Sequence, residues 1–271
     1  MDCDTKYPIM MVHGLAFRDR KHICYWGRIP GALRAQGAEI FFGRQYGWGT
    51  IEHNAWVLKD NINSILSDTS SEKMNIIAHS KGGLDARYMI SSLGMADKIA
   101  SLTTISTPHR GCITIDRLHK MPRWVFRAVA FIIDPLFRLL GDGKPDFYAA
   151  NWQLGAEFMN VFNEQNPDAP AVYYQSYAGV MKGPLSDILL FLPFLIVSRV
   201  EGANDGLVTL TSAQWGDFKG VLRGAARRGI SHADEIDARR RNYVKKPSDS
   251  GISDIREFYI GVVSGLKQMG L

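Results

Sequence analysis

Buried-looking apolar runs alternate with segments of helical spacing along the first half of the chain. Tyr7–Val12 is continuously apolar and ends at His13-Gly14, which suits a central parallel strand covered on both faces. Ile29–Gln36 reads as a helix with Pro30 in its first turn and Gly37 as its stop. Glu39–Gly43 is the next strand. From Thr50 or Ile51 to about Leu66, Ala55, Leu58, Ile62 and Ile65 recur at helical spacing. The largely apolar Met74–Ala78 predicts a strand, Leu84–Ile90 the start of a helix, and Ile99–Thr107 a further strand ending at Pro108. This alternation predicts an α/β fold with a doubly wound, mostly parallel sheet flanked by helices.

Beyond Pro108 the pattern changes. Residues 111–150 show no strand but hold a long apolar helical segment. Trp152–Phe162 reads as a helix and Val172–Tyr177 as a strand. Ile188–Val197 is an apolar run broken by Pro193, either a core helix or one wall of an apolar pocket. Ile252–Gln268 closes the chain as an amphipathic helix. No repeat, low-complexity tract or linker divides the sequence. The expectation is one domain over residues 1–271 with a helical insertion at about 111–150.

Candidate chemistry centres on Ala78-His79-Ser80-Lys81-Gly82-Gly83, where a serine joins a strand to a helix between small residues. Such a strand–turn–helix context makes the serine a candidate nucleophile, with the helix N-terminus beneath it favouring an oxyanion. In the chain order serine, acid, histidine, seven histidines reduce to His232, which lies in a polar loop near the C-terminus. Order alone leaves many carboxylates for the acid. Asp205, on an Asp-Gly turn after a long apolar stretch, is the best placed, expected at a strand end.

Composition changes this picture little. With 46% hydrophobic and 22% charged residues the chain is globular, and its net charge of +5 is modest. The basic clusters Arg223/Arg227/Arg228 and Arg239–Arg241 with Lys245-Lys246 read as solvated faces. No motif accompanies them that would imply nucleic acid. No signal peptide is expected at the N-terminus, and no apolar run reaches the roughly 18–20 residues of a membrane span. Three cysteines without ligand spacing read as small thiols. Compartment stays open between a reduced cytoplasm and secretion with a leader absent from this sequence.

Several segments together resemble the bacterial family I true lipases, triacylglycerol lipases of the α/β-hydrolase fold. They are His13-Gly14-Leu15, Tyr25–Arg34, the Ser80 elbow, Thr107–Gly111, Asn204–Val208 and His232-Ala233-Asp234-Glu235, and they occur in the family's order over nearly the whole chain. The resemblance implies hydrolysis of triacylglycerol or other lipid esters, with Ser80 as nucleophile, Asp205 as acid and His232 as base. It places the oxyanion-hole N–H groups at Leu15 and Lys81. Ala78 stands where many relatives have glycine. No cysteine follows Cys112 to supply the disulfide of secreted members, so neither secretion nor a dedicated folding partner is implied. No cofactor is expected for the chemistry. A structural calcium ion is implied at Asp187 and Asp234, in the manner of relatives that brace the histidine loop with two aspartates and two carbonyls.

Arg123–Leu140 suits a lid. Its charged residues Arg123, Arg127, Asp134 and Arg138 fall in a stripe roughly 60° wide at about 100° per residue, leaving most of the helix surface apolar. Pro135 is expected to kink it or to start a second helix; a buried core helix is the alternative. Partners are then a lipid ester and the lipid–water interface. Competing readings are a short-chain carboxylesterase or an acyltransferase on the same site, and an inactive hydrolase-fold binding protein.

Overall fold

The computed structural model describes residues 2–16, 24–224, 228–243 and 251–271. His22, Arg227, Lys245, Lys246 and most of the loop expected between Leu15 and Tyr25 lie outside these.

Among the described residues a six-stranded, all-parallel sheet runs in the order β2-β1-β3-β4-β5-β6. Its strands are β1 (Ile9–Val12), β2 (Ile40–Phe42), β3 (Met74–His79), β4 (Ile99–Ile105), β5 (Tyr173–Ala178) and β6 (Asp217–Val221). The helices are α1 (Ile29–Arg34), α2 (Ile51–Thr69), α3 (Gly82–Ser91), α4 (Ile113–His119), α5 (Arg123–Leu139), α6 (Phe147–Trp152), α7 (Ala156–Gln165), α8 (Phe191–Val200), α9 (Leu210–Ala213) and α10 (Ile255–Gln268).

The two-residue period of β1 explains the layers. Ile9 and Met11 join a core with Trp26, Leu33, Tyr259 and Val263, while Met10 and Val12 join the opposite core with Leu58, Ile62 and Met89. Both faces are therefore covered, and a continuously apolar strand is the result. The chain leaves β1 for β2 on one side and returns to β3 on the other. The carboxyl ends of β1 and β3 thus flank the point where strand order reverses, the crevice where open α/β sheets place their sites.

Three expectations are corrected. Trp152–Phe162 is not one helix: α6 ends at Trp152 and α7 starts at Ala156. The break is tertiary in origin, because Asp116 of α4 accepts the Ala156 N–H at 2.9 Å and lies so close to Gly155 that a Cβ there would stand 2.2 Å from its carboxylate. Asp205 follows α8 rather than a strand. The strand near it in sequence is β6, whose polar Asp-Phe-Lys-Gly-Val pattern suits an edge and carried no apolar signal. Finally, of the two outcomes expected at Pro135, a kink or a second helix, the second does not occur: α5 continues through it.

Candidate active site

Ser80 sits between β3 and α3 with φ 54°, a left-handed backbone that non-glycine residues rarely adopt. Its N–H bonds the Ile105 carbonyl at 2.9 Å, and its carbonyl accepts the Thr107 hydroxyl at 2.7 Å, so the end of β4 and the loop after it hold the turn from both sides. The neighbours are small because the turn is crowded. A Cβ on Gly82 would lie 2.3 Å from the His13 carbonyl, and one on Gly14 would lie 2.8 Å from Ser80 Cβ. Ala78 is fully buried in the core beneath, where its methyl packs among apolar side chains.

The loop after β1 and the start of α3 bring Leu15 and Lys81 beside this serine. Among the described residues no hydrogen bond uses either backbone N–H. The Lys81 side chain points away into the fold, where its ammonium meets Asp85 at 2.5 Å and Asn54 donates to the other Asp85 oxygen at 3.0 Å. Burial pushes the Asp85 carboxyl up to about 6.

His232 and Asp205 meet although they come from different loops. His232 Nδ1 lies 2.7 Å from Asp205 Oδ2, and the His232 N–H donates to the Asp205 carbonyl at 2.9 Å. The other Asp205 oxygen accepts the N–H groups of Val208 (2.8 Å) and Leu207 (2.9 Å). Burial works to raise the Asp205 carboxyl. The adjacent His232 and these N–H groups outweigh it and hold the group below the usual carboxylate range, so Asp205 is ionised.

Behind His232 lies a buried network that the sequence reading did not single out. His79 contacts the Tyr25 hydroxyl through Nδ1 (2.7 Å) and Glu235 Oε2 through Nε2 (2.8 Å), while Ser106 donates to Glu235 Oε1 at 2.7 Å. Burial and the nearby Asp205 push Glu235 well above its ordinary range, and burial with the neighbouring His232 pushes His79 well below its own. The two shifts run in opposite directions, each disfavouring the charged form of its group. His79, His232 and Glu235 converge as metal ligands do. Each histidine already engages protein partners, however: both His79 nitrogens are taken, and so is His232 Nδ1. Glu235 was visible only as the last residue of the His-Ala-Asp-Glu tetrapeptide. Arg28 fastens the same loop to α1, its guanidinium bonding both Asp237 oxygens at 2.7 Å.

Ser80, Leu15, His232 and Ala233 border a cavity of about 550 Å³. Its other walls are mostly apolar and include residues of α4 (Ile115, Leu118) and α8 (Pro193, Ile196, Val197). Of the two readings of Ile188–Val197, the pocket wall is therefore correct: Val197 alone in α8 is buried, while Ile188 and Leu192 face solvent. α5 sits further out, where Phe137 packs on Trp48, itself a wall of the cavity.

Asp187 and Asp234 come together near this loop, but their oxygens are taken by arginines. Arg239 forks onto Asp187 (3.0 and 2.9 Å), and Arg228 and Arg241 reach Asp234 at 3.2 Å. These carboxylates do not fit a calcium ion, which would need the same oxygens. All three cysteines are thiols. No helix among the described residues is long and apolar enough to cross a membrane.

No protein-family model matches the chain. Triacylglycerol lipase 2 of Saccharomyces cerevisiae is 30% identical over 261 residues, spanning 91% of this chain and 74% of that protein. The triacylglycerol lipase of Pseudomonas fragi is 29% identical over 304 residues, spanning 99% and 98%. The crystal structure of Staphylococcus hyicus lipase superposes with a TM-score of 0.71 at 17% identity, covering 97% of this chain and 96% of that one, a likeness of fold. By this relationship in sequence and fold, the chain belongs to the triacylglycerol lipases of the α/β-hydrolase fold and is a lipase-type serine ester hydrolase.

Proposed function

We propose that the protein hydrolyses triacylglycerol and related lipid esters through Ser80, His232 and Asp205 by way of an acyl-enzyme. The observation that carries this reading is the 2.7 Å His232–Asp205 contact at the edge of the apolar cavity that Ser80 borders. In this scheme Ser80 Oγ attacks the ester carbonyl as His232 Nε2 takes its proton. Asp205 fixes the ring through Nδ1–H and stabilises the imidazolium. The N–H groups of Leu15 and Lys81 receive the developing oxyanion, for which backbone donors without another partner are suited. His232 then protonates the departing alcohol, and water, activated by the same ring, releases the fatty acid.

The cavity walls suit an acyl chain. The helical segment at about 111–150 serves in this reading as a lid inserted in a single hydrolase domain, and it turns apolar side chains outward toward a lipid surface. Fluorophosphonate labelling of Ser80, together with an acyl-chain-length profile from soluble p-nitrophenyl esters to emulsified triglycerides, tests the proposal. Labelling with activity on long chains is expected. Absence of labelling would refute the serine chemistry, and activity confined to short soluble esters would make the protein a carboxylesterase.

A further inference from the structure

The segment ahead of the Asp205 loop and the loop carrying His232 are joined by a compact polar cluster. Asp187 has all four acceptor directions filled: Oδ1 by Arg239 Nη2 (2.9 Å) and the Leu189 N–H (3.1 Å), Oδ2 by Arg239 Nε (3.0 Å) and Ser231 Oγ (3.1 Å). Asp234 takes Arg241 on Oδ1 (3.2 Å) and both Arg228 and the Ser231 N–H on Oδ2 (3.2 Å each). Arg241 also reaches the Ser186 carbonyl at 3.3 Å, and Ser186 Oγ donates to the Arg228 carbonyl. Ser231 is thus gripped from both aspartates, one residue before His232.

Charge separates this arrangement from a cation site. Two almost fully buried carboxylates face three guanidiniums that are about a third exposed or less. The cluster already carries an excess positive charge, so a divalent ion would meet repulsion and would have to displace the arginines from the oxygens it needs. A planar guanidinium forked onto a carboxylate fixes orientation as well as distance, as a brace requires.

We propose that this arginine–aspartate lattice holds the His232 loop in place of a divalent cation, so that the protein is stable and active without calcium and Arg239 acts as a positioning residue. The catalytic part rests on His232 being the base; the calcium-independence does not.

The first arm compares melting temperature after EDTA dialysis with that after calcium addition, and measures calcium binding by titration calorimetry. Equal melting and no binding are expected. A fall in EDTA restored by calcium would overturn the lattice as the brace. The second arm is Arg239→Gln. It should lower the melting temperature and reduce kcat per fluorophosphonate-titrated site by on the order of ten- to a hundredfold, with KM little changed, because a displaced base weakens the chemical step more than binding. Arg239→Lys should restore part of the loss. An Arg239→Gln protein that keeps wild-type kcat per titrated site would overturn the positioning role. Should that variant fold poorly, the calcium response of the unsubstituted protein decides alone. If Ser80 resists labelling, the serine chemistry fails while the melting arm still tests the lattice.

Discussion

Ser80 is held in a left-handed backbone that costs on the order of 1–3 kcal/mol, and the bonds to Ile105 and Thr107 maintain it. Such strain presents the hydroxyl above the turn instead of along the strand. Ser80→Ala and His232→Ala should each lower kcat by about a million-fold, with circular dichroism unchanged, because members of such a unit fail together. Asp205→Asn should cost about ten-thousand-fold by favouring the wrong imidazole tautomer. Near-full activity in Asp205→Asn would place the acid elsewhere.

At the scale of elements, α5 is the segment that breaks the usual rule. Ala130 is buried and Phe126, Ile133 and Phe137 are half-buried against the body, whereas Phe131 and Leu139 are 82% and 86% exposed and Trp124 and Ile132 are nearly as open. The alternative of a fully buried core helix does not hold. Asp134 of the charged stripe faces α6, where it accepts the Phe147 N–H at 2.8 Å. A soluble helix normally turns its polar side to water; one that turns apolar side chains outward has a surface suited to lipid. Activity should therefore rise sharply as a short triglyceride passes its solubility limit. Phe131→Ser with Ile132→Ser should flatten that rise while sparing soluble esters. A smooth saturation curve in the unsubstituted protein would remove the lid from the mechanism.

For the whole molecule, buried titratable groups of opposite tendency shape the response to pH. Burial lowers His79 and His109, with His232 adding to it at the first and Arg87 and Arg110 at the second, so the unfolded chain binds more protons below about 6.5 and stability falls as pH falls through that range. Asp85 acts in the opposite sense. With a folded value of about 6, raised by burial, it binds a proton that the unfolded chain has lost above about 3.9, so its contribution is present at low pH and lost as pH rises toward 6. The two effects offset one another between about pH 4 and 6. Replacing the pair, as Lys81→Met with Asp85→Leu, should make melting temperature climb more steeply with pH over that window. Activity should persist, because only the Lys81 backbone is assigned to the site. Parallel curves for the two proteins would mean that Asp85 does not titrate there.

The parallel sheet and the tight turn at Ser80 were legible in the sequence, and chain order singles out His232 as the proposed base. A strand buried on both faces must be continuously apolar, a tight strand-to-helix turn must use small residues, and chain order leaves a single late histidine. Tertiary structure decided the rest. The edge strand β6 is paired on one side and needs no apolar run, and the end of α6 was set by Asp116 from a different helix. Asp205 could be ranked but not fixed as the partner of His232 until folding brought the two loops within 2.7 Å. The same holds for Asp187 and Asp234. The resemblance implied a cation at this pair, and only the folded chain reveals that Arg239, 52 residues from Asp187, and Arg241 already bond their oxygens. Local periodicity and turn chemistry are written in neighbouring residues, whereas the partners of a buried charge are chosen by whichever distant segment the fold carries to it.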